Sequence, residues 1–457
     1  MTITSNVPAD RNAPPITYKL AEFVASHDSG GWDESVEHDA HRTFFNWLGC
    51  AIGASNHPAV NIALAAAKEI EPSPQATILG RPEKVDMGSA ALINGISSHT
   101  FDFDDTHLKT IIHPAGPVAS AVVALAEKVA SSGREVIDAL VLGIDVSCRI
   151  GNVIYPDHYD RGWHITGTTG SLGAAAGCAR LLRLDTQQVA MALGIAASQP
   201  IGVREQFGTM TKPMHPGASA RAGLFSALMA RHGFTASDRA IEAARGFVQT
   251  ISDKRKWDEA TDQLGERFEI SFNTFKPYAC GIVIHPSIDG CVRLTRRHKL
   301  RPENIKRVIL KVHSLVLELT GKPEPKTGLE GKFSVFHGCA VGIIYGVAGE
   351  AQYDDSIVNQ ADVVALRNKV EAIVDDRVGE EQAVVTIQCH DGREYTEHVE
   401  HAIGSIENPM TDIQLEEKFD ALVGPVLGAA KVRQLTELSW SLARELNVNK
   451  LIFTAQP

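Results

Sequence analysis

No run of about 18 consecutive apolar residues occurs anywhere in the 457-residue chain, so the sequence predicts no membrane-spanning helix. Positive charge is also in short supply. Lys and Arg total 44 against 55 Asp and Glu, a net charge of -11, which repels nucleic acid and anionic lipid from the molecule as a whole. Any anionic ligand must then meet a local cationic site. Aromatic residues make up 6%, which leaves the core to small and aliphatic side chains. The seven cysteines (Cys50, Cys148, Cys178, Cys280, Cys291, Cys339 and Cys389) are scattered and form no C-x-x-C pair, which argues against a disulfide framework or a zinc knuckle. The start, Met1 to Pro15, has no charged segment followed by an apolar one and reads as a flexible arm over 1–17 of a cytoplasmic protein. What remains is ordinary for a folded chain: 44% hydrophobic and 22% charged residues, enough for a sizeable core.

Alanine-rich segments with apolar residues three and four apart fill the chain from Tyr18 to about Arg245, as in Val36–Ala54, Pro58–Ile70, Gly88–His99, Pro117–Ser132, Glu135–Ile150, Ser171–Leu182, Gln187–Ser198 and Ala218–His232. Asp185 is placed to cap a helix, Pro58 suits a first turn, and Gly133 and Gly233 suit helix ends. The pattern changes after about Ser271. Arg307–Ser314 and Ala383–Cys389 alternate like strands, the second leading through His390-Asp391-Gly392 into Arg393–Val399 as a hairpin. Helical patterns lie between them at Phe333–Ala348 and Ala361–Val374, and again in Leu415–Leu422 and Ala429–Leu446. The expected fold is therefore mainly α: a large helical domain from 18–274 and 401–457, with an inserted α+β domain over 275–400.

Four polar clusters stand out. His99-Thr-Phe-Asp-Phe-Asp-Asp-Thr-His107, with His113-Pro114, gathers imidazoles, hydroxyls and carboxylates between two helices. Helix capping by Asp104 or Asp105, a divalent-ion site without a fixed ligand spacing, and acid–base chemistry at His113 all fit it. Arg161-Gly-Trp-His164-Ile-Thr166-Gly167 continues through Gly170 and Gly173; these glycines suit either an anion at a helix N-terminus or close helix packing. Phe207 to Gly217 carries Lys212 and His215 on a loop that runs into a helix, and Phe275-Lys276-Pro-Tyr278-Ala-Cys280 falls where the helical pattern gives way. As a set they suit a small polycarboxylate: Lys212, Lys276, Arg161 and helix N-termini neutralise carboxylates, and His113 and His164 move protons beside a carboxylate.

In order and spacing, FDFDDT, GWHITGT, FGTMTKPMHPG with ASARAG, FKPYACG and GSIENPM resemble the motifs of the MmgE/PrpD family, which contains 2-methylcitrate dehydratase, cis-aconitate decarboxylase and iminodisuccinate epimerase. The resemblance runs from about residue 18 to 445. It implies that the smaller domain is a lid, a site between the domains, a homodimer, and catalysis without cofactor or metal. It also implies a site containing Asp102, Thr106, His113, His164, Lys212 and Lys276, with Asp102 joining His113 and His164 as the catalytic group. Thr166 and Arg161 are expected beside them on the substrate. Two departures are visible. Phe336 stands where decarboxylase-like members have a tyrosine, making His337 a candidate for the missing polar contact, and the segment from Thr106 to His113 is one residue longer than in some relatives. The expectation is a lyase dehydrating a 2-methylcitrate-like acid. Decarboxylation of a cis-aconitate-like acid and epimerisation of an iminodisuccinate-like acid are the alternatives, and a metal-dependent hydrolase is the alternative of another class.

Overall fold

The computed structural model describes residues 15–28, 31–70 and 73–457. The arm expected over 1–17 lies outside the described residues as far as residue 14. From Ile16 the chain is already helical, because Ile16, Leu20, Ala21 and Val24 recur at helical spacing and are buried. Two compact units are formed. The first takes the described residues up to Thr100, then Asp104–Asn273 and Leu415–Pro457; the second takes Phe101–Phe103 and Thr274–Gln414. None of the described helices is long and apolar enough to cross a membrane.

The first unit is helical. The helices that carry its site are α1 (Glu34–Gly53), α2 (Met87–Thr100), α3 (Ala115–Val129), α4 (Gly133–Ile154), α5 (Ile165–Leu181), α6 (Thr186–Ala196) and α7 (Thr211–Arg231). Small residues set their distances. In α5 nearly every side chain is buried, and a Cβ on Gly173 would come 2.7 Å from the Gly143 carbonyl of α4, so the helices touch backbone to backbone there. Capping follows sequence closely where a polar cap exists. Asp185 accepts from the Gln188 N–H, and Ser132 and Glu135 form a reciprocal box at the start of α4.

Three local expectations are corrected. Gly133 does not close a helix; it opens α4, and a Cβ there would sit 1.8 Å from the Leu442 carbonyl, so close approach of the returning chain requires glycine. The helices α5 and α7 begin at Ile165 and Thr211 rather than Ser171 and Ala218: in α7 Pro213 lies in the first turn, where a missing N–H costs nothing, and in α5 Gly167 and Gly170 allow close packing against Ile201 and Pro117. Finally, Ala361–Val374 is helical only to Arg367 and then becomes a strand.

The second unit holds a four-stranded sheet of β1 (Ile305–Val312), β2 (Val370–Val374), β3 (Ala383–Cys389) and β4 (Glu394–Val399), in the order β2-β1-β3-β4. The β1/β2 pair is parallel and the other two are antiparallel. Ala383, Val385, Ile387 and Cys389 alternate as the buried face of β3. The β3–β4 turn uses Gly392 at φ 85°, a conformation suited to glycine. Two helices of this unit, α8 (His285–His298) and α9 (Val335–Tyr345), pack together: Gly338 and Gly342 of α9 meet Ile288 of α8.

Candidate active site

The segment leaving α2 delivers the densest polar group of the first unit. His99, in the last turn of α2, is 1% exposed, and its Nδ1 lies 2.6 Å from Asp104 Oδ2. The other oxygen of Asp104 is 3.6 Å from His113 Nδ1. His113 Nδ1 is also 2.6 Å from the Asp105 carbonyl. A carbonyl only accepts, so this nitrogen carries the proton and donates it. Thr106 Oγ1 lies 3.3 Å from the same ring nitrogen, and Thr166 Oγ1 accepts from the His113 backbone N–H at 3.1 Å. Between Thr106 and His113 the chain folds back on itself: His107 N–H bonds to the Ile112 carbonyl and Ile111 adopts φ 56°, keeping His113 within reach of Thr106.

Asp105 turns the other way. Its Oδ2 accepts from the Ala115 N–H at the start of α3 at 3.0 Å and from Asn273 Nδ2 at 2.8 Å, so helix capping is its role. Burial, and then the charge of Asp104, push its carboxyl up to about 7.

His164 precedes α5 and meets His215 of α7, with Nδ1 to Nδ1 at 2.9 Å. One ring must donate and the other accept, so the pair shares one proton between them. The loop at 200–203 fixes both rings: His164 N–H bonds to the Gly202 carbonyl at 3.1 Å, and Gly202 (φ 103°) leaves 2.7 Å between a Cβ position and the His215 ring. Burial first, then the neighbouring His99, Lys212, His215 and His113, holds His164 well below its ordinary value. His215 is lowered to about 4 by burial, His99 and Lys212. Lys212, itself 6% exposed, lies in the first turn of α7 with its Nζ 5.2 Å from the Phe207 ring centre. Ring centroids of His99 lie 4.8 Å from His113 and 5.7 Å from His164. Thus Thr106, His113, His164, Thr166 and Lys212 belong to one neighbourhood.

The remaining candidates have partners of their own. Arg161 pairs with Asp253 and Asp157 with its side chain 38% exposed. In the second unit, Lys276 is 1% exposed and donates to the Asp102 carboxylate and carbonyl. His337 is buried, bonds through Nε2 to the Gln352 carbonyl at 3.0 Å, and is lowered by burial to about 4. The glycines after His164 serve packing: a Cβ on Gly167 would meet the Ile201 carbonyl at 2.1 Å, and its N–H bonds to the His164 carbonyl.

His99, Asp104 and His113 present ligand atoms within 4.8 Å of one another, a spacing that suits a divalent ion. Hydrogen bonds already engage His99 Nδ1 and His113 Nδ1, so an ion using those nitrogens would have to displace them.

The chain matches the MmgE/PrpD N-terminal domain over residues 18–260 and the MmgE/PrpD C-terminal domain over 278–442. It belongs to the MmgE/PrpD family. Among its relatives are a cis-aconitate decarboxylase of Aspergillus terreus, 26% identical over 97% of this chain and 96% of the relative, and the cis-aconitate decarboxylase of Homo sapiens, 24% identical over 93% and 91%. The cis-aconitate decarboxylase-like protein oryM of Aspergillus oryzae is 25% identical over 99% and 98%.

Sequence reasoning placed His99, Asp104 and His215 inside the motifs of this MmgE/PrpD chain without giving them a part in catalysis. The signal for His99 was its spacing of five residues from Asp104 across a helix end. His215 carried no such signal, since its contact with His164 spans 51 residues of sequence. Lys332 was also missed; in the second unit it donates to the Phe101 and Ala279 carbonyls at 2.7 and 3.0 Å and pairs with Glu350.

Proposed function

We propose that this MmgE/PrpD-family chain is a cofactor-independent lyase for a small di- or tricarboxylate, moving a proton at the carbon alpha to a carboxylate. The observation that carries the reading is the gathering of His113, His164 and Lys212 among buried hydroxyls in one unit. Lys212 neutralises a substrate carboxylate, and charge-assisted contacts of this kind are short and strong. Burial, and then the cationic neighbours of His164, disfavour its protonation. A bound polycarboxylate offsets the charge part of that effect, so substrate itself makes the imidazole a better base. One imidazole then takes the alpha proton, the C–H electron pair becomes the new C=C bond, and the hydroxyl on the adjacent carbon leaves as water with a proton from a second imidazole.

Dehydration of a 2-methylcitrate-like acid is the first reading, because Phe336 offers no hydroxyl where decarboxylase-like members carry a tyrosine. Decarboxylation of a cis-aconitate-like acid is the second, favoured by the names of the relatives. Epimerisation of an iminodisuccinate-like acid needs the same enolate-like species. Asp102 enters this reading beside the catalytic histidines, and Lys276, Arg161 and His337 enter it on the substrate. A homodimer and a cytoplasmic location complete it, checked by light scattering and by fractionation. The deciding experiment incubates the purified chain in heavy water with 2-methylcitrate, citrate, cis-aconitate and iminodisuccinate, followed by NMR and mass spectrometry. Loss of water from 2-methylcitrate is expected. Release of carbon dioxide from cis-aconitate, or deuterium exchange with inversion in iminodisuccinate, moves the assignment to that reaction. No conversion or exchange of any acid overturns the reading.

A further inference from the structure

The second ring nitrogen of His99 has no part in the chemistry just described. Because Asp104 accepts at 2.6 Å, the neutral ring holds its proton on Nδ1 and keeps its lone pair on Nε2. That Nε2 is buried and makes no hydrogen bond with any described residue. Buried polar atoms are nearly always paired, which marks this nitrogen as a place for a proton donor such as a water or a ligand. Its surroundings are the histidine cluster, with His113 and His164 at 4.8 and 5.7 Å between ring centres. The carboxylates are not evenly shared. Asp104 is 2.6 Å from His99 and 3.6 Å from His113, whereas His164 faces another imidazole.

We infer that His99 is the proton-relay residue of the site, taking up on Nε2 the proton that His164 removes from substrate, with Asp104 as its positioning residue. The inference rests on the lyase reading. In the relay an N–H bond breaks on His164 and one forms on His99 Nε2, directly or across one water, and the resulting imidazolium lies against the Asp104 carboxylate. Burial and neighbouring positive charge make His164 a poor place to leave a proton, so the charge moves to the ring that has a counter-ion. Afterwards the proton passes on to the imidazole that gave one to the leaving hydroxyl, which restores every ring.

The test uses the full chain, the acid found by the heavy-water panel, and the variants His99→Gln and Asp104→Asn. Turnover is expected to fall by about 10²–10⁴ in His99→Gln with KM within about threefold and an unchanged melting temperature, and Asp104→Asn to fall less. Normal kcat in a His99→Gln variant that melts normally overturns the relay. Should His99→Gln fail to fold, or should the wild-type chain convert no acid (which removes the lyase reading by itself), ¹⁵N-histidine NMR of the wild-type chain decides. A resting His99 with its proton on Nδ1, a resonance that moves in Asp104→Asn, and an Nε2 shift on adding unreactive tricarballylate support the relay. A proton on Nε2 at rest, or an Nε2 unmoved by tricarballylate, overturns it.

Discussion

Lys276 Nζ lies 2.9 Å from the Asp102 carboxylate and 3.1 Å from the Asp102 carbonyl, so one ammonium grips both the side chain and the main chain of a residue held at φ 51°. Asp is one of the few non-glycine residues that visit that region. The lysine, with Lys332 on the neighbouring Phe101 carbonyl, holds Phe101–Phe103 in that path. Lys276→Met removes the cation from a buried carboxylate, which is worth about 3–5 kcal/mol when a buried pair is broken. Thermal melting should show a clear loss of stability, and the double variant Asp102→Asn/Lys276→Met should recover much of it. A Lys276→Met protein that melts like wild type while its KM rises would show that Lys276 acts on the substrate alone.

Lys212 is expected to act on the substrate itself. Lys212→Met keeps most of the buried stem and removes the charge. With about 1.5–3 kcal/mol for one charge-assisted hydrogen bond, KM should rise by roughly one to two orders of magnitude with little change in melting temperature. Steady-state kinetics on the acid found by the heavy-water panel measures this.

His113→Gln and His164→Gln should each lower turnover by about 10²–10⁴. The two differ in structural cost. His113 Nδ1 donates to the Asp105 carbonyl, a bond that a glutamine amide can approximate, whereas His164 shares its proton with His215. Stability should therefore fall more in His164→Gln. A variant that melts and turns over normally leaves the mechanism.

Exhaustive chelation should leave activity intact. Loss of activity on treatment with EDTA, restored by one divalent ion, would put a metal at His99, Asp104 and His113 and favour the hydrolase alternative.

Two buried carboxyls make opposite contributions to pH stability. Burial, and then Asp104, raise Asp105 from 3.8 to about 7. The stability it contributes is therefore present below its unfolded value and lost as pH rises through about 7. Both hydrogen bonds it accepts end on one oxygen, which an amide can keep, so Asp105→Asn should melt higher than wild type at pH 8 and lose that advantage toward pH 4. Glu269 runs the other way. Burial alone would raise it, but His107, Asn152 and Arg149 overcome that and hold it at about 2 against 4.5. Its contribution, on the order of 3 kcal/mol, is present above 4.5 and lost as pH falls through 2. Acid melting of Glu269→Gln should lack that phase.

The sequence made the helices legible where apolar spacing and a polar cap coincide. Thr186–Ala196 after Asp185 is the clearest case. It misled where glycine and proline imply a loop but tertiary packing decides, as at the starts of α5 and α7. The strand Val370–Val374 was read as helix because it pairs with β1 across a long separation, and nothing local records such pairing. For the site, the motifs offered Thr106, His113, His164 and Lys212, which the structure gathers in one neighbourhood. The ion pair of Asp102 with Lys276 was not legible, because a salt bridge across 174 residues has no local signature. The partner of His215 was hidden for the same reason.

Gly133 meets the Leu442 carbonyl, Phe45 stacks on Phe419 at 4.2 Å, and Lys418 donates to Asn46. The first unit is thus stitched from stretches that leave the ribosome far apart in time. Its early helices must wait through synthesis of the whole second unit before Phe419 arrives to cover Phe45. During that wait an apolar face of α1 is bare, which is the condition under which nascent chains are captured by chaperones or aggregate.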